Sequence, residues 1–143
     1  MEFHTKLLEI LPGKGFAVQN ITHLVNDFVS SAGILQGQLI LFYKHTTGSI
    51  IIGEHETGII ADLEDAFESI APSDGEYLHH QRGVDFNGYA HIRAAMMPTS
   101  VVIPINDGNL VLGTHQEILV VDNQPEELPR YIFLEKCCQL RLY

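Results

Sequence analysis

Apolar and polar residues alternate along this chain with two different periods, and the changes of period divide it into strands and helices. Residues 2–11 read as a strand closed by the turn Pro12-Gly13-Lys14-Gly15. Thr22 is placed to cap a short helix with Leu24, Val25, Phe28 and Val29 on one face, stopped by Gly33. Residues 37–45 and 49–52 are dense in Leu, Ile and aromatic side chains and read as strands. The clearest helix spans 57–71, where Ile60, Leu63, Phe67 and Ile70 recur at spacings of three and four before Pro72 ends it. Residues 73–86 show no period and form a polar loop longer than most connections, of the kind that tends to carry function. Asn87 is placed to cap a second main helix running to Met97. From Pro98 onward the pattern is β, with strands at 100–105, 110–114, 117–121 and 130–143, the first two joined by the hairpin turn Asn106-Asp107-Gly108-Asn109.

Strands do not alternate regularly with helices, so a doubly wound nucleotide fold is disfavoured. The expected class is α+β: an antiparallel, sandwich-like core with two main helices against it. The 143 residues contain no repeat and no Pro/Gly/Ser linker, so residues 1–143 read as a single domain.

Composition narrows the choice of partners. Eight Lys plus Arg against 18 Asp plus Glu leave a net charge of −10, which gives no general attraction for nucleic acid or an anionic membrane. No apolar stretch approaches the ~20 residues of a membrane helix, and the charged N-terminus lacks a signal core. Cys137 and Cys138 are adjacent, too close for ordinary disulfide geometry, and read as two thiols in a strand. The expected location is a reducing cytoplasm. Histidine departs from the ordinary: eight, as many as Lys and Arg together, which points to metal or proton chemistry.

Polar groups gather at the ends of the expected elements. His45-Thr46-Thr47-Gly48-Ser49 follows a strand and offers hydroxyls and an imidazole to an anion; the alternative is a Thr-rich bend. Glu54 precedes the strong helix, where it suits a base or a metal ligand, whereas Glu56 is explained by the helix dipole. His79, His80, Asp85 and Asn87 lie in or beside the long loop, with His91 on the helix after it. None of these histidines falls in a finger or protease signature. Three imidazoles with an open position are nevertheless a known zinc arrangement.

The succession His45-Thr46-Thr47, Glu54, Asp62-Leu63, Pro72, Tyr77-x-His79, Asp85-x-Asn87-x-x-Ala90-His91, Pro104, Gly108 and Gly113-Thr114-x-Gln116 resembles the YjbQ-like family, known as secondary thiamine-phosphate synthase-type proteins. The resemblance runs from Lys6 to about Leu134. It implies a β-sandwich core assembled as a homotrimer, with a site near the subunit contacts. His45, Glu54, Asp85 and His91 are the implied catalytic residues. Thr46, Thr47, Asn87, Thr114, Gln116 and Arg130 are the substrate-binding ones, and His45, His79 and His91 the metal ligands. The family's Gly-Thr-Trp-Gln reads here as Gly113-Thr114-His115-Gln116, and the chain runs on through Cys137 and Cys138 to Tyr143.

The implied reaction joins a hydroxymethylpyrimidine pyrophosphate to a thiazole phosphate and releases pyrophosphate. A divalent cation would neutralise the leaving group, with Arg82, Arg93 or Arg130 on phosphate oxygens. Magnesium suits pyrophosphate, whereas three histidines suit zinc and hydrolysis. Three readings therefore stand: the transferase, a metal-dependent hydrolase of a small phosphorylated or ester substrate, and a non-catalytic binder of a small anionic metabolite.

Overall fold

The computed structural model describes residues 2–33 and 35–138. Among the described residues eight strands form two antiparallel sheets. Five of them, β1 (Glu2–Ile10), β8 (Arg130–Cys138), β3 (Gln36–Tyr43), β5 (Ser100–Asn106) and β6 (Asn109–Leu110), lie side by side in that order. The other three, β2 (Ala17–Asn20), β7 (Glu117–Asp122) and β4 (Gly48–Gly53), form the smaller sheet. Side chains alternate across each strand, so one face of the large sheet supplies Leu39, Leu41, Tyr43, Ile103, Ile132 and Leu134 to the interior. Ile50, Ile118 and Val120 of the small sheet meet them, and Val25, Phe28 and Val29 of α1 (Thr22–Ser31) fill the same core. Strand β7, central in the small sheet, is buried along almost its whole length, and α3 (Gly88–Ala95) is held against the neighbouring β4, where Ser49 Oγ donates to the Ala94 carbonyl at 3.1 Å.

The α+β class, the layered antiparallel strands and the long helix agree with the expectation from the pattern. Four details differ. The strand expected at 110–114 stops at Leu110, because the Gly113 N–H goes to the Gln116 side chain at 2.8 Å instead of a neighbouring strand. Strand β2 was not anticipated; it is short, and Gln19 and Asn20 blur its alternation. Thr22 does not cap α1: Asn20 Oδ1 accepts from the Thr22 N–H at 3.0 Å, and Thr22 Oγ1 accepts from the Ile118 N–H. Asn87 stands at the cap position of α3 as expected, but its side chain makes no cap bond; its amide is turned to donate to Gln124 Oε1 at 3.1 Å.

The long helix α2 (Thr57–Ile70) begins on Glu56, whose carboxylate accepts from the Gly58 and Ile59 N–H groups. Those two hydrogen bonds hold the Glu56 carboxyl below the usual carboxylate range. Its apolar stripe is only partly covered: Phe67 is buried against Phe16, while Ile59 and Ile70 stay exposed. Among the described residues no helix is long and apolar enough to cross a membrane. The end of the strand expected at 130–143, and the side chains of Cys137 and Cys138, fall outside the described part of the chain.

Candidate functional site

The long polar segment after α2 is folded rather than loose. Pro72 ends the helix, and the Tyr77 hydroxyl donates back to the Pro72 carbonyl at 2.7 Å. One 3-10 turn, Leu78–Arg82, follows and closes at Gly83, whose φ of +67° is the left-handed value glycine adopts freely. The turn is fastened to α3 by His80, whose Nε2 accepts from the Gly88 N–H at 3.1 Å. Gly88 has to be glycine here, since a Cβ would stand 2.7 Å from Tyr77 Cβ.

This fastening brings His79 on the turn, Asp85 in the loop and His91 on α3 together, with one donor atom of each within 4.8 Å of the others. The His79 and His91 rings are 4.8 Å apart between centroids. His79 Nε2 is buried and makes no well-aligned hydrogen bond, although Asp85 Oδ1 lies only 3.0 Å away. An imidazole nitrogen and a carboxylate oxygen this close, and misaligned for a hydrogen bond, could both serve as ligands of one cation. Two imidazole nitrogens and one carboxylate oxygen form a donor set suited to zinc or a neighbouring transition metal, and poorly suited to magnesium, which takes oxygen. A zinc ion needs donors within about 4 Å of one another, so small side-chain rotations would complete the fit.

The sequence pointed to His45, His79 and His91 as ligands; the structure groups His79 and His91 with Asp85 instead. Both ring nitrogens of His45 are engaged elsewhere, Nε2 3.1 Å from Arg130 Nη1 and Nδ1 2.8 Å from Thr47 Oγ1. Burial, and then the Arg130 charge, lower the His45 pKa below the ordinary imidazole value, and His91 adds to this. Arg130 is itself buried and paired through Nε with Asp122 Oδ2, which also accepts from the Tyr43 hydroxyl at 2.8 Å. Burial and the Asp122 carboxylate raise the Tyr43 pKa, so its phenol stays protonated and donates.

The remaining expected residues divide by exposure. Thr47 is buried and Thr46 exposed. Asn87 is buried with Oδ1 unpartnered. Glu54 is not part of the donor cluster; its carboxylate lies 3.7 Å from His115 Nδ1 on the exposed rim. Thr114 and Gln116 are exposed beside that pair, and Gln116 closes its own turn through Gly113. Of the arginines proposed for phosphate, Arg93 is fully committed: it donates to the Ala71 carbonyl through Nε and Nη2, and Nη2 lies 2.6 Å from Glu68 Oε1. Sequence reasoning missed Asp122 altogether. The only available signal was an aspartate ending a run of apolar strand residues, where an unpaired carboxylate would be costly.

A cavity of about 430 Å³ opens against the cluster, lined by Glu76, Tyr77, Leu78, His79, Gly88, His91 and Ile92. A second, of about 440 Å³, adjoins it across Glu76, Tyr77 and Leu78. Both have the volume of small-molecule sites.

The same fold and sequence occur elsewhere. A protein of Methanothermobacter thermautotrophicus, described as a UPF0047 protein, is 32% identical over 122 residues, covering 85% of this chain and 84% of its own. Bacillus subtilis YugU is 30% identical over 114 residues, covering 79% of this chain and 84% of its own. A solved structure of a hypothetical protein from Aeropyrum pernix superposes with a TM-score of 0.86 at 27% identity, over 95% of this chain and 99% of that one. A YjbQ-like protein from Sulfolobus solfataricus, described as of unknown function, gives a TM-score of 0.85 at 27% identity, over 94% and 96%. The profile of the family described as UPF0047 protein YjbQ-like matches residues 6–137. With that span of sequence and the shared fold, this chain belongs to the YjbQ-like UPF0047 family.

Proposed function

We propose that His79, Asp85 and His91 form a divalent-metal centre and that the chain hydrolyses a small phosphorylated or ester substrate in the cavity beside it. The observation that carries this reading is the convergence of three ligand atoms within 4.8 Å, one of them a buried imidazole nitrogen without an aligned partner. Bound there, a zinc-like ion supplies Lewis acidity toward a phosphoryl or carbonyl oxygen and lowers the pKa of water. The chain's own residues supply position: the His80–Gly88 hydrogen bond holds the two histidine-bearing elements together, and Tyr77, Leu78 and Ile92 give the open cavity its apolar lining.

A second reading, the transfer of a hydroxymethylpyrimidine group to a thiazole phosphate, is favoured by the two adjoining cavities, which suit two substrate parts. It is weakened by the arginines: Arg93 and Arg130 are buried and their charge is spent on Glu68 and Asp122, so of the three arginines considered only Arg82, exposed at the end of the 3-10 turn, is left to support a departing pyrophosphate. A homotrimer belongs to the proposal as well. It is supported by the outer face of the large sheet, where Leu7, Phe133 and Phe42 sit in register and stay exposed, with Val102 and Tyr131 nearby.

Elemental analysis of protein purified without added metal, followed by zinc titration, tests the centre. About one zinc per chain is expected, with metal-dependent turnover of a simple phosphate or carboxylic ester. His79→Ala and His91→Ala should each weaken zinc binding by at least a hundredfold while the circular dichroism stays native. Zinc binding unchanged in both variants would overturn the centre. Pyrophosphate release from the pyrimidine pyrophosphate, with magnesium and no transition metal, would replace the hydrolase reading with the transferase.

A further inference from the structure

We infer that Arg130 locks His45 as a neutral imidazole with its proton on Nδ1, which makes His45 a positioning residue for Thr47 rather than a metal ligand or an acid. The inference goes beyond the metal reading and does not need it. It rests on the direction of each hydrogen bond in a chain that joins both sheets: Asp122 on β7, Arg130 on β8, His45 after β3 and Thr47 before β4.

A guanidinium carries five N–H donors and no acceptor. Arg130 Nη1 stands 3.1 Å from His45 Nε2, so Nε2 must present its lone pair. An imidazolium there would set two donors and two positive charges against each other. The ring proton therefore sits on Nδ1, where it is donated to Thr47 Oγ1 at 2.8 Å. The Thr47 N–H also faces this nitrogen at 3.4 Å, a longer and weaker contact than the 2.8 Å to Thr47 Oγ1, and the Arg130 donor on Nε2 decides between them. Having accepted from His45, the Thr47 hydroxyl is left with its own proton to donate onward. The polarity of the relay is thus set at its buried end.

Arg130 cannot turn away to release the ring. Its partner Asp122 is buried and accepts in addition from Tyr43 and from the Gln124 N–H at 2.9 Å, so withdrawal would leave a buried carboxylate without its cation. The charged and titratable groups that act on His45 are Arg130, Asp122 and His91, and its lowered pKa agrees with the neutral form. The lone pair that would bind a metal is used up by Arg130, which is why His45 stands outside the His79–Asp85–His91 cluster.

Two measurements on the full chain test this. Long-range proton–nitrogen NMR of the labelled protein should show His45 at pH 7 as the neutral Nδ1–H tautomer. A His45 ring protonated on Nε2, or cationic at pH 7, overturns the inference in the unmodified protein, whatever happens to any variant. In Arg130→Met, if folded, the Nε2–H tautomer should become populated. In zinc titrations His45→Asn should keep affinity within about threefold of the parent, whereas His91→Ala loses it. Loss of zinc in His45→Asn equal to that in His91→Ala would make His45 a ligand after all. If the parent chain binds no zinc, the metal reading fails and the NMR result alone decides the role of His45.

Discussion

Two buried cations, Arg93 and Lys136, close helices to which they do not belong. Neither α1 nor α2 carries a basic residue in its last turn, so their final carbonyls lack a local counter-charge. Lys136 on β8 donates from Nζ to the Val29 carbonyl at 2.9 Å, and Arg93 on α3 donates twice to that of Ala71. The same guanidinium holds the Glu68 carboxyl below its usual range. Arg93→Met should therefore cost about 1.5–3 kcal/mol in urea unfolding, the scale of hydrogen bonds to a charged group. Asp122→Ala should cost more, about 3–5 kcal/mol by the same measurement, because it strips the counter-charge from a fully buried arginine. The neutral His45 adds a pH term. Its pKa is lower folded than unfolded, so on acidification the unfolded chain takes up a proton that the folded chain refuses. The stability it contributes is whole above the unfolded value of about 6.5 and is lost as pH falls below it. Replacing His45 with Asn should flatten the acid-side decline of the urea midpoint between about pH 7 and pH 5.

At the scale of elements, the candidate site depends on how one turn docks on one helix. The 3-10 turn and α3 touch where Gly88 leaves room for Tyr77, and the His80 acceptor pins the contact. Gly88→Ala adds a carbon where only 2.7 Å separates it from Tyr77, so the turn must shift and carry His79 away from His91. We expect zinc affinity to fall tenfold or more, with the large sheet and its core intact by amide exchange, since supporting residues of a metal site commonly act at that scale. Unchanged affinity would show that the turn does not place His79. The helix α2 behaves differently. Its periodic stripe announces it plainly, yet only Phe67 is buried, and it packs on Phe16 outside the main core. Phe67→Ala should thus loosen α2 at a cost near the lower end of the usual ~3–5 kcal/mol. The sheets should remain cooperative, in contrast to Leu41→Ala in the core.

For the whole molecule, apolar surface left uncovered among the described residues includes the outer face of the large sheet and the stripe of α2. Cross-strand rows such as Leu7–Phe133–Phe42 are the usual sign of an inward face, but in this chain they look outward. The proposed trimer would bury them, and Phe42→Lys with Phe133→Lys should convert it to a lower mass in light scattering while the monomer keeps its fold. A trimer unaffected by the pair of lysines would place the subunit contact elsewhere. The exposed Glu54–His115 pair and Gln116 stand apart from the His79 cluster within one chain. Measured zinc affinity should accordingly be insensitive to Glu54→Gln.

The sequence by itself determined the elements whose signal is local. Ile60, Leu63, Phe67 and Ile70 announce α2 because a helix repeats every 3.6 residues, and the density of Leu, Ile and aromatic residues over 37–45 marks β3 as a strand without saying which face turns inward. It also determined which residue types were present for chemistry, since eight histidines in an acidic chain are visible in any count. Pairings between distant residues were decided only by the tertiary structure. His45 and Arg130 are 85 positions apart, and Tyr43 and Asp122 are 79 apart, so no local period links them. The helix-cap expectation at Thr22 failed for the same reason, since its hydroxyl accepts from the Ile118 N–H across the fold, and the Asn87 amide is turned toward Gln124 from 37 positions away. Which three of the candidate ligands share a focus is likewise a matter of packing, because a ligand set is fixed by where backbones converge and residue type alone carries no such information.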